Sequence, residues 1–147
     1  MVEFKLVLSD PTEGKSYQKI VQEDAAKPFI GLKIGDTVKG EIIGLTGYEF
    51  LITGGSDYAG FPMRRDVQGQ GRKRILAVEG VGIQRFAKKF RKNKVTRRYY
   101  GTKQRRTVAG NMVHAKTAQI NLKIVTKGTT PLVSETKKEE VKKDAKK

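Results

Sequence analysis

The sequence predicts a mainly β protein: a small antiparallel β-barrel with a long basic extension and one or two short helices. Three observations point there. Apolar residues alternate with polar ones near both ends of the chain, at Val2, Phe4, Leu6 and Leu8 and again at Ile120, Leu122 and Ile124. That period of two puts one face of a strand on a core. Turns bearing Gly or Pro recur between short apolar stretches at near-regular spacing, the pattern of small all-β folds. The charge is concentrated in one segment: residues 1–63 hold 6 basic and 9 acidic residues, 64–106 hold 16 and 2, and 107–147 hold 9 and 4. Such a segment cannot enter a core, because an unpaired buried charge costs on the order of several kcal/mol.

The elements follow in order. Val2 to Leu8 reads as a strand, Ser9 to Gly14 as an Asp-Pro turn, and Ser16 to Gln22 as the returning strand of a hairpin. Asp24 to Lys27 has helix-forming composition, cut short by Pro28 and Gly31. Val38 to Ile43 and Tyr48 to Thr53 read as strands. From Gly54 to Met63 the glycine density predicts a compact loop, with Gly54, Gly55, Gly60 and Pro62 as its structural turn residues. Arg72 to Val78 reads as a strand with a charged start. Gln84 to Asn93 reads as a helical turn or two, since Phe86 and Phe90 stand at i and i+4. Thr107 to Ala115 and Ala118 to Thr126 complete a single domain over residues 1–128. Residues 129–147 form a tail of mostly Lys, Glu and Asp, expected to be disordered.

The basic extension carries the function. Arg85 to Arg106 holds 11 Lys or Arg among 22 residues, no acid, and interleaved Phe86, Phe90, Tyr99 and Tyr100. Like charges at this density repel one another unless a polyanion neutralises them and releases counterions. Aromatic faces add a surface on which bases or sugars pack. The RNA-binding residues predicted are Arg64, Arg65, Arg72, Lys73, Arg74, Arg85, Lys88, Lys89, Arg91, Lys92, Lys94, Arg97, Arg98, Tyr99, Tyr100, Lys103, Arg105 and Arg106.

Other chemistry finds little support. The chain has no Cys and one His, so no thiolate chemistry and no conventional zinc site is expected. His114 lacks a nucleophile or an orienting carboxylate at recognisable spacing. Asp57, Asp66 and Glu79 are expected to pair locally with Arg rather than form a carboxylate dyad. Neither the Gly54–Gly60 stretch nor Gly80-x-Gly82 completes a nucleotide-binding pattern, because Phe61 and Arg85 stand where Lys and Gly are needed. No enzyme activity, cofactor, metal, membrane association, small-molecule substrate or homo-oligomer is expected. With no apolar segment near Met1 resembling a signal peptide, the expected location is the cytoplasm.

Thr53-Gly54-Gly55-Ser56-Asp57-Tyr58-Ala59-Gly60-Phe61-Pro62-Met63-Arg64 resembles the signature of the sixth e-type ribosomal protein family of the small subunit, found in archaea and eukaryotes. Ile34 to Gly40, Arg105 to Asn111 (with Ala109 in place of the family's Arg), Ile120 to Val125 and Lys127-Gly128 resemble further family segments. From Gly80 to Gln104 the likeness is one of charge rather than of individual residues. The serine cluster of eukaryotic members has only Ser134 as a counterpart after Gly128, so their phosphoserine switch is not carried over and the short form resembles the archaeal one. The resemblance implies a β-barrel core and a basic extension threaded among rRNA helices, with small-subunit rRNA and neighbouring ribosomal proteins as partners. A free-standing RNA- or DNA-binding regulator on the same barrel is the alternative.

Overall fold

The computed structural model describes residues 2–83, 87–89, 96–98, 101, 103–128 and 132, with backbone alone for 87–89 and 96–98. The fold is mainly β. Strands β1 (Glu3–Asp10), β2 (Lys15–Gln22), β3 (Thr37–Lys39), β4 (Glu49–Asp57) and β9 (Thr117–Thr126) form one five-stranded sheet in the order β2-β1-β9-β4-β3. Strands β5 (Arg72–Ala77) and β8 (Gln104–Ala109) form an antiparallel pair, as do β6 (Ala87–Lys89) and β7 (Thr96–Arg98).

Alternation on β1, β4 and β9 makes the core. Phe4, Leu6 and Leu8 point inward from β1, Phe50 and Ile52 from β4, and Ile120, Leu122 and Ile124 from β9, all buried. Register brings them together. Leu122 lies opposite Leu8 on one side and Ile52 on the other, and Phe50 opposite Ile124. Phe29, Val38, Met63 and Val113 extend the same cluster. Each such side chain contributes about 1.5–3 kcal/mol on burial. The other face of the sheet carries exposed Lys5, Ser9, Thr53 and Lys123.

Several expectations are revised. The described strands form open sheets rather than a closed barrel, with β2 and β3 as edges, and β1 pairs β9 in parallel. Alternation fixes which face of a strand is buried but not its direction, and these two strands come from opposite ends of the chain. The helices expected near residues 24–27 are 3₁₀ turns at Glu23–Ala25 and Lys27–Phe29; a third, Gly40–Ile43, replaces the end of the strand expected over Val38 to Ile43. No α-helix occurs among the described residues. Within the stretch read as helical, 87–89 is strand and pairs with 96–98. Lys88 and Lys92, like charges at i and i+4, oppose a helix there. Phe86 and Phe90 lie outside the described residues, as do 129–131 and 133–147.

The hairpin turn between β1 and β2 is built on Asp10. Its Oδ1 accepts hydrogen bonds from the Thr12 amide at 2.9 Å and the Thr12 hydroxyl at 2.6 Å. Its Oδ2 takes the Lys127 ammonium at 2.7 Å, and that ammonium also reaches Glu13 at 3.4 Å. The residue just past β9 is thereby tied to the first turn. The Lys127 bond, then the Thr12 hydroxyl, holds the buried Asp10 carboxyl well below the usual carboxylate range.

Candidate nucleic-acid interface

The stretch expected as a loop from Gly54 is in part strand. Strand β4 runs on to Asp57 through register shifts between Ile52 and Gly54 and between Ser56 and Asp57, and such bulges bend a strand. Gly54 and Gly55 therefore sit in the ladder opposite Asn121 and Ile120, and neither has a positive φ. Gly55 is needed for closeness instead: a Cβ there would collide with the Gln119 carbonyl and meet Met63 Sδ at 3.0 Å. The turn itself rests on Gly60, at φ +79°.

After the turn, Pro62 to Arg64 forms a seam between the two sheets. The Met63 amide donates to the Gly55 carbonyl on the β4 side (2.9 Å). On the β8 side, the Ala109 amide donates to the Pro62 carbonyl and the Arg64 amide to the Ala109 carbonyl. Met63 itself is buried. Pro62, which has no amide hydrogen to give, occupies a position where only its carbonyl is used.

Asp57 organises this corner. Its carboxylate, 2% exposed, accepts from the amides of Ala59 (3.0 Å) and Phe61 (2.9 Å) through Oδ1 and from the Arg72 guanidinium through Oδ2. Arg72 opens β5, and its guanidinium lies over the rings of Tyr58 (4.7 Å to the centroid) and Phe61 (5.0 Å). The bond to Asp57 raises the Arg72 pKa further. Arg64 is engaged in the same manner. It makes a two-pronged pair with Asp66 (2.8 and 2.7 Å) and donates to the Val81 carbonyl at 3.1 Å. The pair raises the Arg64 pKa and lowers that of Asp66. Asp57 and Asp66 thus each pair with a nearby Arg, as their sequence context suggests.

The predicted RNA-binding residues divide accordingly. Arg64 and Arg72 have carboxylate partners and brace the signature loop. Arg65, Lys73, Arg74, Lys103, Arg105 and Arg106 are exposed; Lys73 donates to the Gln68 carbonyl at 3.0 Å. None of these six is paired with an acid among the described residues. Lys88, Lys89, Arg97 and Arg98 fall on the β6–β7 hairpin, where only the backbone is described. Arg85, Arg91, Lys92, Lys94, Tyr99 and Tyr100 lie outside the described residues. Strands β5 and β8 are the stem from which residues 78–103 depart and return, and Arg74, Arg105 and Arg106 stand on that stem.

His114 is half-buried in the turn before β9, with Nδ1 3.2 Å from the Thr117 hydroxyl. No group of His, Asp or Glu able to hold a metal ion occurs among the described residues, and no described helix is long and apolar enough to cross a membrane. The sequence reading expected Asp57 and Asp66 to pair with Arg but still counted Arg64 and Arg72 among the RNA-binding residues, and it missed the aromatic packing of Arg72. The signal available was spacing: Asp66 follows Arg64 by two residues, and Tyr58 and Phe61 flank the turn.

Comparison with known proteins gives the family. The family model described as ribosomal protein S6e matches residues 4–137. The chain belongs to the ribosomal protein S6e family. It is similar to small ribosomal subunit protein eS6 of Methanocella arvoryzae, 38% identical over 145 residues that cover 99% of this chain and 94% of that one. The eS6 protein of Methanoculleus marisnigri is 37% identical over 90% of this chain and 91% of its own. That of Thermoplasma acidophilum is 40% identical over 86% and 91%. In S6e terms, the match spans the core sheet, the signature seam and the basic extension together.

Proposed function

We propose that the chain is a structural constituent of the small ribosomal subunit, with no catalytic role, and that it binds and stabilises folded rRNA in the cytoplasm through its basic extension. The observation that carries this reading is the division of the charge. The arginines on the scaffold side, Arg64 and Arg72, are neutralised by Asp66 and Asp57, while Arg74, Arg105 and Arg106 on the stem are exposed and have no acidic partner among the described residues. Phosphates are the counter-charge that such a stem accommodates. The family, and relatives named as small-subunit proteins along most of their length, support the same reading. Residues 1–128 act as one unit in this account. The β5–β8 pair prolongs the wall of the five-stranded sheet across the Pro62–Arg64 seam into a partly open barrel, and the remaining basic residues and Tyr99 and Tyr100 extend the rRNA contact.

Sedimentation of a cell extract through a sucrose gradient, at moderate and then high salt, tests this. The expected result is comigration with small subunits that survives the salt wash. A chain that stays near the top at both salts overturns the ribosomal reading.

A further inference from the structure

Between the β5–β8 stem and the signature loop lies a groove of about 610 Å³, bordered by Phe61, Pro62, Arg74, Ile83, Arg105 and Arg106. Its size falls within the roughly 300–1,000 Å³ of clefts that hold small ligands. Two chemistries meet in it. Arg74 lies opposite Thr107 in the ladder and Arg105 two residues before Thr107, so both stand on one face of the stem. Neither has an acidic partner among the described residues.

The opposite wall is apolar and held in place. Phe61 packs under the Arg72 guanidinium, which Asp57 fixes. Pro62 is hydrogen-bonded to β8 through its carbonyl and sits against Gly82, where a Cβ would approach Pro62 Cγ to 2.8 Å. Ile83 is buried behind them.

A surface that met only the outside of an RNA duplex would need guanidiniums and no such wall. Duplex RNA presents phosphates and sugars, with its base faces stacked away. An unpaired nucleotide presents a phosphate and a free base face together, and stacking on an aromatic ring is tolerant of sequence. We propose that this groove holds one unpaired nucleotide of RNA, its phosphate between Arg74 and Arg105 and its base or ribose against Phe61 and Pro62. The inference rests on the RNA-binding reading above and adds to it single-stranded RNA as the ligand at a specific place.

The test uses the full chain and two labelled probes, a short oligouridine and a blunt RNA duplex, followed by fluorescence anisotropy. Phe61→Leu keeps apolar bulk but removes the ring face. It is expected to weaken the oligouridine about tenfold, the order of a lost base stack, and to leave duplex binding within about twofold. A second measurement needs no variant: oligouridine containing 4-thiouridine is photo-crosslinked to the unaltered chain and the adducts are mapped by mass spectrometry. Adducts at Phe61, Pro62 or Ile83 support the groove. Equal losses on both probes, or adducts confined to residues 85–100, overturn it while leaving RNA binding intact. An unaltered chain that binds neither probe overturns the RNA reading, and this inference with it.

Discussion

The Arg72 guanidinium is bonded to the buried carboxylate of Asp57 while it lies over the rings of Tyr58 and Phe61. One side chain thereby joins the end of β4 to the start of β5. Removing the carboxylate strips the Ala59 and Phe61 amides of their acceptor as well. Because the Arg72 guanidinium left behind is exposed, the cost of Asp57→Ala is expected to come from the amides left without an acceptor, about 1–3 kcal/mol. Arg72→Lys keeps the charge but loses the planar fork, so a smaller loss is expected. Thermal melts of both variants check this; an unshifted Asp57→Ala melt would show that the loop holds without its hub.

The two glycines at the start of the signature separate cleanly. Gly55→Val puts side-chain atoms into the Gln119 carbonyl across the ladder, whereas a Cβ at Gly54 meets nothing within 4 Å. Neither position needs a positive φ. Gly55→Val is therefore expected to destabilise by several kcal/mol, or about 3 or more, and Gly54→Val to change stability by less than about 1 kcal/mol. Urea midpoints with unchanged m-values give the comparison; equal losses would contradict it.

Much of this fold is legible in the chain. The buried faces of β1, β4 and β9 follow from Phe4-x-Leu6-x-Leu8, Phe50-x-Ile52 and Ile120-x-Leu122-x-Ile124, because alternation is a local property. The parallel β1–β9 pairing is not legible, since direction depends on connections between distant segments. The Gly54-Gly55 pair misleads because glycine serves both a left-handed turn and a close strand approach, and composition does not separate the two. In the site, clustering of Lys and Arg marks the extension, but it gives Arg64 and Arg72 the same weight as Arg74 and Arg105. Only the positions of Asp57 and Asp66 tell them apart.

Acid should expose the Asp10–Lys127 tie. The folded carboxyl is depressed below its unfolded value of about 3.9, so its contribution is complete above that value and is lost as pH falls through the folded one. Lys127 is raised by Asp10 and then Glu13, so its share is complete below about pH 10.4 and is lost at higher pH. Asp10→Asn is expected to lower stability at neutral pH and to flatten the decline below about pH 4. Urea unfolding across a pH series gives both; a variant whose acid limb parallels that of the unaltered chain would remove Asp10 as its source.

Salt dependence tests the proposed division into bracing and RNA-binding arginines. Each phosphate contact contributes about 0.7–0.9 to the slope of log K against log salt, depending on whether the nucleic acid is single- or double-stranded. Arg74, Arg105 and Arg106 have no acid to give up among the described residues, so replacing all three with Ala should shallow the slope for an rRNA fragment by up to about 2–3 while the melt changes little. Arg64→Ala and Arg72→Ala should do the reverse. Their charges are already matched by Asp66 and Asp57, so the slope stays and the melting temperature falls. Filter-binding titrations at several salt concentrations, beside thermal melts of the same preparations, decide it. Equal slope changes for the two sets would mean that RNA competes successfully for the guanidiniums of Arg64 and Arg72, and that the signature loop opens when the extension is bound.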